Sequence, residues 1–173
     1  MTETTWTRAD ASSVSAPAIR FPWRLYTATF MIASMWIHAS ENFRYLLFVR
    51  PMLQESLSMV PDVAPMNPAV FVSWGIWDTM LSAMTVLTYW LYAQVFGPSV
   101  RSAVIGGTIS WLSSFVFFWH AFANLNLATA ADLLVEPSLS WVELVVASLI
   151  ARWCFGWPAL ARLVGERAAH GAA

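Results

Sequence analysis

The chain contains no lysine, so its nine basic residues are all arginine, set against ten acidic ones. That near balance gives a net charge of -1, with no basic field to draw nucleic acid or an anionic surface. Charge of either sign is scarce, at 11% of residues where a soluble domain carries about 25%. The one cysteine, Cys154, cannot close an internal disulfide, and its apolar neighbours suit a small buried hydrophobe. No glycine-rich phosphate loop and no internal repeat occurs. Residues 1–20 lack the apolar core of a signal peptide and read as a flexible cytoplasmic tail.

What the chain has instead is long apolar runs. Hydrophobic residues make up 58% of it, including eleven Trp and eleven Phe, rings favoured at a bilayer interface or around an apolar pocket. Four segments, about 25–49, 68–96, 102–127 and 138–163, are each long enough to span ~30 Å of hydrocarbon at ~1.5 Å per residue. Arg50-Pro51 closes the first, Gly97-Pro98 the second, and Pro158 lies near the end of the fourth. The fold expected is an all-α integral membrane four-helix bundle over residues 21–165, with a C-terminal tail at 166–173. Residues 51–67, with prolines and acids, are too polar to cross. The short link at 97–101 makes the second and third helices antiparallel neighbours, and residues 128–137, with Asp132 and Glu136, join the third to the fourth.

Arginine sets the orientation. Arg8, Arg20, Arg24, Arg101, Arg162 and Arg167 share one face in a four-span topology, while Arg50 and Arg44 mark the other. Both termini are thus expected in the cytoplasm, and the protein in the inner membrane if its source is bacterial.

Ionisable groups within spans cost at least ~2.5–3.5 kcal/mol on insertion scales, so they point to a bundle interior and a function. His38 and Glu41 share one face of the first helix, Asp78 lies in the second, and His120 and Asn124 lie in the third. At ~1.5 Å per residue, Glu41 and Asp78 fall roughly 5–6 Å to the outer side of the midplane, His120 about 10 Å and Glu143 about 12 Å. This clustering predicts a shared site in the outer half. Its proton-transfer groups are Asp78, Glu41, His38 and His120; Asn124 and Thr79 are ligand-orienting groups, and Trp36, Trp77 and Trp119 form walls. Plainer readings exist for several residues: a Glu41–Arg44 ion pair within one helix, Asn124 and Asn126 as end caps, and Glu143 as a first-turn acid. Arg152 could pair with Asp78. The many Ser and Thr, with Gly106-Gly107, suit close helix contacts.

The layout and a few short stretches resemble the EXPERA-domain, emopamil-binding-protein-like four-helix membrane proteins. The stretch Ile37-His38-Ala39-Ser40-Glu41 is similar to that family's first-helix His and Glu, although the spacing here is three where the family's isomerases use four. Asp78-Thr79 is similar to its acid–Thr pair, with Asp in place of Glu, and Trp153 and Pro158 resemble the Trp and Pro of its last helix. No counterpart of its fourth-helix Asn is found. Over residues 21–163 the resemblance implies an isomerase of sterol- or isoprenoid-like lipids. Such an enzyme protonates one alkene carbon and removes a proton elsewhere, which needs a buried acid and a second group as base. Aromatic faces such as Trp36, Trp77 and Trp119 would stabilise the carbocation.

Two further readings compete. His38 and His120 lie on different helices and could supply axial ligands to a b-type haem, for electron transfer or epoxide isomerisation. Their depths differ by roughly 8 Å, which favours a single axial ligand or a haem shared between subunits. Alternatively the chain is a non-enzymatic accessory subunit or small transporter, working as a homo-oligomer or beside a larger membrane partner. Otherwise no cofactor is expected; the partners are membrane lipid and an apolar small-molecule ligand.

Overall fold

The structure, a computed structural model, describes residues 20–165, so the two tails read from the sequence lie outside the described residues. Every regular element among the described residues is a helix. Helix α1 (Trp23–Arg44) runs through a π-helical turn at Tyr45–Val49 into α2 (Arg50–Ser56). After a connection come α3 (Pro68–Phe96) and α4 (Val100–Trp111), the latter continuing through a second π-helical turn, Leu112–Val116, into α5 (Phe117–Asn124). The chain closes with α6 (Ala130–Phe155) and the short α7 (Pro158–Leu163). In the bundle, α1 packs on α3 and α6, α4 packs on the same two, and α3 also touches α6 across the middle.

Helix boundaries follow local chemistry. Asn67 caps α3 by accepting from the Val70 N–H, and Pro68 behind it needs no donor partner. Gly97, at φ +82°, ends α3 in a conformation that side chains rarely adopt. Ser99 caps α4 through the Ser102 N–H, which fixes the tight antiparallel turn. At the end of α5, Asn126 takes a left-handed φ of 55°, and the Leu127 N–H reaches back to the Phe122 carbonyl. That is a Schellman closure, so Asn126 is the end cap and Asn124 is simply the last helical residue.

Three boundaries differ from the sequence reading. Arg50-Pro51 does not stop the first helix, because the π turn before it reroutes the hydrogen bonds that the proline would break, with the Arg50 N–H donating to the Tyr45 carbonyl. The last long helix begins at Ala130, not near Ser138. Thr129 and Asp132 form a reciprocal capping box, the Thr129 N–H donating to the Asp132 carboxylate at 2.6 Å, so the expected connection is helix. That helix ends at Phe155, and Pro158 opens a separate turn.

The burial pattern is inverted relative to a water-soluble helix. The interior face of α3 carries Asp78, Ser82, Thr85 and Tyr89, while Ile76, Met80, Met84, Leu91 and Val95 are exposed. A helix with polar groups inside and an apolar exterior is one solvated by lipid. Three helical stretches, Pro68–Phe96, Val100–Asn124 and Ala130–Phe155, are long and apolar enough to cross a membrane. The chain is an all-helical, multi-pass membrane bundle. Close approach inside it depends on Gly107, where an added Cβ would stand 2.8 Å from backbone atoms of Leu144 and Val145.

Candidate functional site

The bundle interior near the α5–α6 connection is organised around Arg44. Positions 25, 29, 33, 37, 41 and 44 of α1 form one buried face, its last two residues being Glu41 and Arg44. The guanidinium donates to Glu41 Oε1 at 2.5 Å through one terminal nitrogen and to Glu136 Oε2 at 2.6 Å through the other. Its Nε lies 3.6 Å from Glu143 Oε2, and its carbon sits 4.9 Å above the centre of the Phe115 ring. One cation thus serves three carboxylates, two of them from α6. Arg44 is 6% exposed, Glu136 0% and Glu143 3%. Asp78, 2% exposed on α3, adds a fourth acid; among the described residues its Oδ1, Glu136 Oε1 and, beyond the ion pair to Arg44, the two Glu143 carboxylate oxygens accept no hydrogen bond. Among the described residues no set of His, Cys, Asp and Glu is arranged to hold a metal ion. The guanidinium is the cation of this cluster.

Above the Glu41–Arg44 pair opens a cavity of about 270 Å³. Its walls are largely aromatic: Tyr45 from the first π turn, Trp74 and Trp77 from α3, Phe115 from the second π turn, and Phe118, Trp119 and Phe122 from α5. Trp77 and Phe118 lie 6.1 Å apart, and Phe118 and Trp119 meet edge to face at 5.8 Å. The indole N–H groups of Trp77 and Trp119 have no acceptor among the described residues. A smaller recess on the other side of Glu41, about 20 Å³, reaches Asp78 and shares Tyr45 and Trp74 with the large one. Glu41 therefore stands between two spaces, one with Arg44 and one with Asp78.

Both π turns serve this cavity. Glu41 and Leu53 both line it although twelve residues apart. In an unbroken α-helix that separation leaves them about 120° out of phase. A π turn absorbs one residue, roughly 100° of rotation, and brings them to within about 20°. The sequence cost of the bulge is thus offset by a continuous cavity wall.

The site residues read from the sequence separate into two groups. Glu41, Asp78, Trp77 and Trp119 line the two spaces. The others stand elsewhere. His38 is half-buried on α1, its Nδ1 2.9 Å from the Ser34 carbonyl. Trp36 clasps α1 to α6 by donating from Nε1 to the Glu143 carbonyl at 3.0 Å. Thr79 is exposed and donates to the Gly75 carbonyl. His120, its Nδ1 2.8 Å from the Val116 carbonyl, and Asn124 are exposed along α5. His38 and His120 line neither space. Arg152 makes no ion pair with Asp78 among the described residues.

Sequence reasoning assigns Glu136 no role and Arg44 only a local one, and it counts Glu143 in the outer-half cluster while leaving open a first-turn acid. With a fourth helix opening near Ser138, Glu136 falls in a connection and Glu143 in a first turn. The Thr129-Ala130-Ala131-Asp132 capping box is the signal that moves the start back and places both acids on an interior face.

No family model, curated protein or solved structure matches the chain. The EXPERA resemblance accordingly rests on the residues that carry it.

Proposed function

We propose that the protein binds a small, largely apolar ligand in the aromatic cavity and works on it, or holds it, with Glu41, the carboxylate that lines the cavity, and with Asp78 in the adjoining recess. The carrying observation is the cavity itself, aromatic on its walls and bounded below by Glu41 and Arg44. In this reading Glu41, which lines both spaces, and Asp78, which lines the smaller one, exchange protons, while Arg44 holds Glu41 in position. With a ligand that carries a carbon–carbon double bond, this set suits an isomerase: one carboxyl gives a proton to an alkene carbon, and a second carboxylate removes one from a neighbouring position. Tryptophan faces would stabilise the cation between those steps. The EXPERA resemblance supports the same chemistry, with an isoprenoid- or sterol-like substrate.

In this reading α1 is a fourth crossing. Its 22 residues reach about 33 Å, and Glu41 and Arg44, which lower its hydropathy, are turned toward the cluster. The arginine distribution supports cytoplasmic termini.

The test begins with the detergent-purified protein, from which bound small molecules are extracted and identified while the absorption spectrum is recorded. A terpenoid or sterol, retained by the wild type and by Asp78→Asn but converted only by the wild type, supports the reading. A Soret band would replace it with a haem protein. A colourless, empty protein that fails to take up apolar probes would leave an accessory subunit.

A further inference from the structure

Below the acid cluster a second set of polar groups runs along the bundle axis toward the opposite end. On α3, Asp78, Ser82, Thr85 and Tyr89 follow one another at intervals of four, three and four residues, all on the buried face. On α6, Ser148 and Arg152 lie beyond Glu143 in the same direction, and Thr29 on α1 faces them from the third side of the bundle. Thr29, Thr85 and Ser148 are 0% exposed and Tyr89 is 1% exposed. Among the described residues, none of the hydroxyls of Thr29, Thr85, Tyr89 and Ser148 has a hydrogen-bond partner, and neither has Arg152 Nε.

This is not the usual behaviour of Ser and Thr in packed helices, where the hydroxyl donates to the carbonyl four residues back. Ser82, Thr108, Ser110 and Ser140 do so here. Of the axial hydroxyls, Ser82 therefore keeps only its lone pairs free to accept, while those of Thr29, Thr85 and Ser148 make no such bond. Buried polar groups are seldom left unbonded, and in a site closed to lipid headgroups water is the partner that remains.

Along α3 the successive oxygens are stepped by about 4.5–6 Å. One water bonded to two oxygens spans about 5.5 Å. We propose that Thr29, Thr85, Tyr89 and Ser148 hold a file of water that carries protons between the Arg152 end of the bundle and the acid cluster at Asp78 and Glu143. At each hop an oxygen lone pair takes a proton from one neighbour as its own O–H proton leaves to the next, so no co-reactant is needed. The charged and titratable groups facing the file are Asp78, Glu41, Glu143, Arg44 and His38 at one end and Arg152 at the other; Glu136 stands behind Arg44. The path gives the buried carboxylates a supply of protons that does not pass through the aromatic cavity. It stands independently of what the cavity binds.

The test uses the full chain in liposomes of one orientation, with pH stepped only in the compartment at the Arg152 end. The carboxyl infrared band of the cluster, assigned by its loss in Asp78→Asn and Glu143→Gln, is followed in time. The wild-type band responds to that step, and Thr85→Val combined with Tyr89→Phe slows the response at least ten-fold, while exposed Thr27→Val leaves it unchanged. A band that answers only to a step on the opposite side, answers to neither, or keeps its rate in the double variant overturns the proposal. Should that variant fail to assemble, Thr29→Ala with Ser148→Ala interrupts the same file from the other two helices. A structure that resolves water tests the path separately: waters bridging Thr85, Tyr89 and Ser148 support it, and hydroxyls turned onto backbone carbonyls overturn it.

Discussion

Arg44 holds together residues that would otherwise repel one another. Breaking a buried ion pair by removing one partner costs about 3–5 kcal/mol, because the remaining charge is left uncompensated. Arg44→Met would strand Glu41, Glu136 and Glu143 together, so a loss at the top of that range is expected in detergent melting curves. Arg44→Lys should fall between, since an ammonium lacks the fork that reaches Glu41 and Glu136 at once. Single residues were partly legible in the sequence. Glu41 and Asp78 stood out because an acid inside an apolar run is expensive wherever it points. Which of the remaining polar residues face inward depends on helix phase, and phase is shifted by the π turns. That is why exposed Thr79, His120 and Asn124 could not be told from interior ones.

The helices themselves were readable from apolar runs and breakers, but their joints were not. A proline normally marks a stop, yet at Pro51 the preceding π turn carries the helix on to Ser56. The capping box at Thr129 outweighs the polarity of the segment that follows it. Helix packing offers a direct test at two glycines. At Gly107 the neighbouring α6 backbone cannot yield, so Gly107→Ala should destabilise by about 1–3 kcal/mol. Gly75 has nothing within 4 Å of an added Cβ, so Gly75→Ala should instead stabilise, by up to about 1 kcal/mol through helix propensity. Thermal unfolding of the two variants side by side measures the contrast.

At the level of the whole molecule, scarcity of charge was enough to predict a membrane-embedded helical bundle, because too few polar groups exist to cover a surface in water. The inverted faces of α3 sharpen that inference. Met84 is 55% exposed near the middle of this helix. Met84→Arg should therefore cost about 2.5–3.5 kcal/mol of insertion and move protein from the membrane fraction to aggregates. In a water-soluble bundle the same change would be nearly silent, and fractionation after expression tells the two apart.

The Arg44 cluster also bears on how the chain is made. Its cation enters on the first long helix, together with Glu41 as an i,i+3 partner, whereas Glu136 and Glu143 arrive only with the last. The first helix therefore carries its charge already matched by Glu41, but α6 brings two acids that find their counter-ion only by docking against it. Arrival of α6 is the step that commits the bundle. Chains released before Ala130 should stay protease-sensitive in the membrane, and a separately synthesised α6 should recover resistance only when Arg44 is present to receive it.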